Sequence, residues 1–318
     1  MFSEIRYSCA RVAEKAKFVR LEAERLPAYA EQLDLSAISA PIYDAEHHFT
    51  GGSVIDNAEA VLAFNLTLDT VNFGSGYFPH LNKRPGMSGY FTVASALKDY
   101  FDTYGPLSAD ELCTLTPAKT AAIFAQDLID PVRAELMRHF TEALAQLGSY
   151  LAERFGGSFV RLVERSSGSA ERLADLLAEM PYFQDVADYG GVQVPLYKRA
   201  QIAASDLALA FDGQGWGAFS DLGGLTIFAD NLVPHVLRVD GLLSYDAGLL
   251  NRIEQGELIP AGTPEEVEIR AVALHAAERL SALLPGVTPR DLDVYLWNRG
   301  QGEVYKAAPR HRTRTVFY

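Results

Sequence analysis

Cysteine is scarce in this 318-residue chain: Cys9 and Cys113 stand far apart, in no CxxC or Cys/His ligand spacing. That excludes a disulfide framework and a structural zinc site, and it fits a reducing compartment. Long apolar runs are also missing. Charges interrupt every apolar stretch of the N-terminal MFSEIRYSCARVAEKAKFVRL, so no secretory signal is expected. No segment approaches the ~20 apolar residues that span a bilayer. The expected location is the cytoplasm, with no membrane partner. Positive charge is in deficit, 28 Lys and Arg against 41 Asp and Glu for a net charge of −13. Phosphate-backbone binding relies on cations displacing counterions, so a nucleic-acid polymer is not an expected partner. A single small anion held by two or three local cations remains compatible with this balance.

What is present is the composition of a globular body: 48% hydrophobic residues, 22% charged, mean hydropathy of zero. No repeat, low-complexity tract or linker divides the chain. The pattern from Ser3 to Gln32 (Ile5, Cys9, Val12, Ala16, Val19) predicts one or two amphipathic helices. A loop follows from Ala40 to Gly52, then a helix near Val54 to Leu66. His47 and His48 are adjacent, so they cannot share a face of a regular element, and no third metal ligand follows at suitable distance. Thr70 to Tyr90 concentrates glycine, proline, aromatics and His80. It reads as a shaped loop in which Gly74 and Gly76 permit unusual backbone angles, either an aromatic-anchored turn or a pocket wall carrying His80.

Two helices announce their own ends. Asp130-Pro131 is a cap followed by proline at the first helical position, and Val132, Leu136, Phe140, Leu144, Leu147 and Leu151 line one side until Gly156-Gly157. Thr263-Pro264-Glu265-Glu266 predicts a capping box, with Ile269, Val272, Ala273, Ala276, Leu280 and Leu283 continuing to Pro285-Gly286. Strand signals are few: Val192 to Leu196 alternate, and Leu225 to Phe228 form a short apolar run. The expected fold class is mainly α, one globular domain over residues 1–318 with a small β-sheet or hairpin.

Three segments set ionisable or amide groups inside apolar sequence: Tyr197 to Leu207, Leu225 to Leu237 and Asp291 to Gln301. Asp230, between Phe228 and Leu232, must be paired, reached by solvent or pushed toward protonation; alternatively it caps the helix that NLVPHVL begins. Asp293 carries the same ambiguity. Lys198-Arg199 is either a solvated pair or a pair that meets an anion.

Tyr197-Lys198-Arg199-Ala200-Gln201, Leu225-Thr-Ile-Phe-Ala-Asp230 with Val233-Pro234, Glu266-Val-Glu268-Ile-Arg270 and Asp293-Val-Tyr295-Leu-Trp297 resemble, in this order, the queuosine salvage proteins. Weaker agreement at Ser88-Gly89-Tyr90 and Phe155-Gly156-Gly157-Ser158 extends the resemblance over most of the chain from about residue 60 onward. The resemblance implies hydrolysis of the N-glycosidic bond of queuosine 5′-monophosphate, a small-molecule substrate, to release queuine for tRNA modification. It also implies a helical fold similar to DNA glycosylases, with no metal and no cofactor. Asp230 is then the catalytic carboxylate, as nucleophile or as the base that activates water. Such a group suits the chemistry, because breaking a nucleoside C–N bond builds positive charge on the ribose. Phe228 offers its ring to the base, or is an ordinary core phenylalanine. Asp293 pairs with the base N–H groups or the amine of its side arm. Asn298 stands where the family is expected to carry aspartate, and an amide cannot neutralise a cation. Lys198 is the first candidate for the 5′-phosphate, with Tyr197 and His80 as hydrogen-bonding partners. Competing expectations are a glycosylase for another modified nucleotide and a queuine carrier that cleaves nothing.

Overall fold

A computed structural model describes residues 1–38, 43–51 and 57–318. Helix dominates them, and among the described residues the only sheets are two antiparallel pairs, Val19–Leu21 with Leu243–Tyr245 and Val186–Tyr189 with Val192–Pro195. The fold is mainly α, as the pattern of the sequence predicts. No described helix is long and apolar enough to cross a membrane. The chain divides into two compact units, neither of them a continuous piece of sequence. The first comprises Met1–Pro41, Asp185–Gln201 and Gly223–Thr315; the second comprises Ile42–Gln184, Ile202–Leu222 and Val316–Tyr318. A chain that passes back and forth in this way needs no linker, which is why none is legible.

In the second unit, helix Pro131–Phe155 forms as its ends predict. Asp130 Oδ1 accepts the N–H groups of Val132 and Arg133 at 2.8 and 3.0 Å. Leu136, Phe140, Leu144, Leu147 and Leu151 are fully buried along one face, and Gly156 ends the helix in the left-handed conformation at φ 58°. The helix expected near Val54 to Leu66 runs over Ala58–Thr70 and is buried along nearly its whole length; residues 52–56, with the start of that expectation, and 39–42 lie outside the described residues. Of the two glycines singled out in the following loop, Gly74 has a positive φ of 99°, and a Cβ there would meet Leu136 at 2.6 Å. Gly76 has no such backbone angle.

The first unit is built around helix Pro264–Ser281, which buries Glu266, Glu268 and Arg270 along with its apolar residues. Its predicted capping box does not form. The Thr263 hydroxyl turns back to the Pro260 carbonyl at 2.9 Å, while Glu266 accepts the Gly262 N–H at 3.1 Å and lies 3.6 Å from Arg270. The helix stops at Ser281, leaving Leu283 outside it and 46% exposed rather than on the buried stripe.

Near the N-terminus the structure corrects the periodic reading. Helix Phe2–Lys15 buries Ile5, Cys9 and Val12 as predicted, but Val19 belongs to a strand, and a 3-10 turn at Ala23–Arg25 and the short helix Leu26–Ala30 follow. The cause lies far away in sequence. Glu268 Oε2 accepts the successive N–H groups of Lys17, Phe18 and Val19 at 2.9, 2.6 and 3.0 Å, and its Oε1 accepts the Tyr189 hydroxyl at 2.7 Å. A buried carboxylate that collects four donors holds the chain extended where local preference alone would continue the helix.

Candidate active site

Leu225 to Phe228 reads as a strand in the sequence, yet it forms no strand pair among the described residues, and Leu225–Ala229 is buried. Buried backbone N–H and C=O groups need partners, and here side chains supply them. Gln201 Oε1 accepts the Thr226 N–H at 3.0 Å, and Gln201 Nε2 donates to the Thr226 hydroxyl at 3.0 Å and to the Leu196 carbonyl at 2.9 Å. Asp293 Oδ1 accepts the Phe228 N–H at 2.8 Å. Arg270 Nε donates to the Ala229 carbonyl at 2.7 Å. Three of the four sequence strings that carry the family resemblance therefore converge on the fourth, through the side chains of Gln201, Arg270 and Asp293.

Asp185 completes the frame. Its carboxylate receives both terminal nitrogens of Arg270, at 2.9 and 2.6 Å, and the Lys198 N–H at 3.2 Å. Its carbonyl accepts from Leu196 and Tyr197 at 2.9 and 3.3 Å. Arg270 thus ties the start of helix Lys198–Ala210 to the residue before Asp230. Tyr197, at the turn into that helix, has φ of 46°, a left-handed angle that a bulky side chain seldom adopts. Strain of this kind persists where surrounding contacts over-determine it, often at ligand sites.

Asp230 is half-buried at the end of the segment. Asp230 is not the N-cap of helix Val233–Val239, which is Leu232, but its Oδ1 closes the turn leading into that helix by accepting the N–H groups of Leu232 and Val233 at 2.7 and 3.2 Å. Its other oxygen makes no hydrogen bond among the described residues. The side chain therefore holds its own orientation while its second oxygen stays available. Phe228 and Asp293 are 3% and 4% exposed, and their direct bond makes them one element of the site. Lys198 is 5% exposed and Tyr197 half-buried.

Two expected residues stand apart from this group. Asn298 is exposed on helix Pro289–Arg299. Five residues beyond Asp293, it points roughly 140° around the helix from it. His80 belongs to the other unit, in the short turn Phe78–His80, with Nδ1 3.1 Å from Asp130 Oδ2. The N–H of Arg133 and then the His80 contact hold the Asp130 carboxyl below its ordinary range. Asp185 was missed by sequence reading. In FQDVADYG it is one aspartate of two, and nothing local marks which is buried.

Among the described residues no group of three His, Cys, Asp or Glu side chains is placed to hold a metal ion, and both cysteines are free. Instead, buried neutral histidines flank the Asp230 segment. Burial lowers His311 to about 3, with the charges of Arg310, His235, Arg270 and Arg238 adding to the effect. Burial lowers His235 to about 4 against the opposing hydrogen bond to the Tyr305 carbonyl, 2.8 Å away. Unfolded histidine titrates near 6.5, so the unfolded chain takes up protons first. The stability these groups contribute is complete above about pH 6.5 and is lost as pH falls toward 4 and below. Melting temperature should therefore decline steadily over that interval, and His311→Gln should flatten the decline; an unchanged slope in the variant would remove His311 from the account.

The strings that meet at this frame all lie within the stretch of chain that matches the queuosine salvage proteins. This chain belongs to that family, whose model matches residues 53–318. It is similar to the queuosine 5′-phosphate N-glycosylase/hydrolase of Sphaerobacter thermophilus, 38% identical over 317 residues that cover 97% of this chain and 95% of that one. The proteins of the same name from Mus musculus and Bos taurus are each 33% identical. The mouse match covers 82% of both chains, and the bovine match 73% of this chain and 72% of the other.

Proposed function

We propose that this chain hydrolyses the N-glycosidic bond of queuosine 5′-monophosphate, releasing queuine and ribose 5-phosphate, with residues 1–318 acting as one catalytic domain. The observation that carries this reading is Asp230 itself: one oxygen fixed by two backbone N–H groups, the other unengaged, on a segment held by Gln201, Asp293 and Arg270 from three other family-like strings. As the C1′–N bond lengthens, its electrons leave with the base and the ribose ring becomes electron-poor. A fixed carboxylate beside C1′ stabilises that charge without having to reorient. Water then bonds to C1′, its proton passing toward the carboxylate, and the departing base gains a proton. Queuine is a 7-deazaguanine and has no N7 to protonate, so its leaving ability depends on contacts to the rest of its polar edge.

Asp293 is the group for that edge, and Phe228, tethered to it, offers its ring to the bicyclic base. Lys198 and Tyr197 serve the 5′-phosphate; Asn298 supplies at most a neutral hydrogen bond where a carboxylate would pair with a cation. Purified protein incubated with queuosine 5′-monophosphate is expected to yield free queuine and ribose 5-phosphate by liquid chromatography and mass spectrometry. Tight binding without product on long incubation would replace hydrolysis with a carrier role.

A further inference from the structure

The segment Pro309–Arg312 runs alongside the Asp230 region within the same unit and is pinned by its own carbonyls. Arg238 donates to the Pro309 carbonyl at 2.7 Å, Asn231 to the His311 carbonyl at 3.4 Å, and Ile259 to the Arg312 carbonyl at 2.9 Å. These bonds fix Arg310 beside Asn231, the residue next to Asp230. The neighbouring arginines are engaged with protein: Arg238 with Pro309, Arg270 with Asp185 and Ala229, Arg312 with the Gly256 carbonyl at 2.6 Å. Arg310 is not. Its side chain is open to solvent and makes no hydrogen bond or ion pair among the described residues. Protein nonetheless crowds it closely enough that desolvation lowers its pKa, and the charge of Asp230 opposes that shift. The guanidinium therefore lies within electrostatic reach of the carboxylate without closing on it as a salt bridge.

An unengaged cation on a stretch of chain pinned next to Asn231, with the Asp230 carboxylate on the adjoining residue, suits a ligand that is electron-poor at one end and doubly negative at the other. A ribose 5-phosphate unit is such a ligand, with C1′ and the phosphate on opposite sides of the ring. Resting on the hydrolase reading above, we propose that Arg310 is a specificity-determining residue that takes the 5′-phosphate while Asp230 faces C1′. A planar guanidinium meets two phosphate oxygens at once, so it would favour the monophosphate over the unphosphorylated nucleoside. In a chain of net charge −13, one fixed cation at this position also offsets general repulsion of the substrate.

The test compares binding of queuosine 5′-monophosphate, ribose 5-phosphate and queuine by titration calorimetry in wild type, Arg310→Met and Arg310→Lys. Arg310→Met should weaken both phosphate-bearing ligands about 10- to 100-fold and leave queuine within about twofold. Arg310→Lys, which keeps the charge but loses the fork, should fall between. Equal weakening of all three ligands would make Arg310 a structural residue, and unchanged phosphate affinity in Arg310→Met would overturn the proposal. Failure of wild type to bind ribose 5-phosphate and the monophosphate would also overturn it. Wild type that binds both but releases no queuine would sink the hydrolase reading alone, leaving the phosphate contact standing.

Discussion

Asp230→Asn is expected to bind queuosine 5′-monophosphate within a few-fold of wild type and to release queuine about a thousandfold more slowly. That corresponds to about 4 kcal/mol of lost transition-state stabilisation. The substitution is informative because Asp230 has two separable duties. An amide oxygen still accepts the Leu232 and Val233 N–H groups, so the local backbone should persist. What the amide lacks is charge, and charge is what an electron-poor ribose requires. Asp230→Ala would remove both, adding the loss of the turn it closes, about 1 kcal/mol of stability. If single-turnover release by Asp230→Asn stayed within tenfold of wild type, the carboxylate would close a turn and do nothing more.

The second large effect concerns the frame rather than the chemistry. Arg270 and Asp185 are 3% and 4% exposed at their side chains. Removing one member of such a pair leaves a buried charge without compensation, which typically costs about 3–5 kcal/mol. Arg270→Met is therefore expected to lower stability by that amount in chemical denaturation, and to free the Ala229 carbonyl whose position sets that of Asp230. Adding Asp185→Leu to this variant should recover part of the stability, since of the two buried carboxylates that Arg270 faces only Glu266 then remains. Activity should not return with it, because the anchors of Ala229 and of the Lys198 turn are still missing. A loss below about 1 kcal/mol in Arg270→Met would show that water reaches Asp185 and that the pair holds nothing.

The two variants separate layers that read differently in the sequence. The carboxylate proposed for the chemistry, Asp230, was legible because it interrupts an apolar run and sits in a string with a family likeness. Its positioning partners were only partly legible. Gln201 and Arg270 lay inside recognised strings, but nothing in those strings said that one would pair with Thr226 and the other with Asp185, 85 residues distant. Asp185 belonged to no string at all. Arg310 resembled any surface arginine until the Pro309 and His311 carbonyls were seen to be tied to the segment around Asp230.

The sequence by itself determined the helical class, the limits of helix Pro131–Phe155 and the four strings that mark the family. Those features depend on neighbours within a turn or two: a cap and a proline at one end, a left-handed glycine at the other, an apolar residue every third or fourth position. Tertiary structure alone decided that Lys17 to Val19 leave the helix for Glu268, that Thr263 turns to Pro260 instead of capping, and that Leu225 to Ala229 is a segment held by side chains rather than a strand. In each case a buried backbone donor or acceptor took a partner remote in the chain. Hydrogen-bond satisfaction in a dry interior outweighs the small preferences that local sequence expresses.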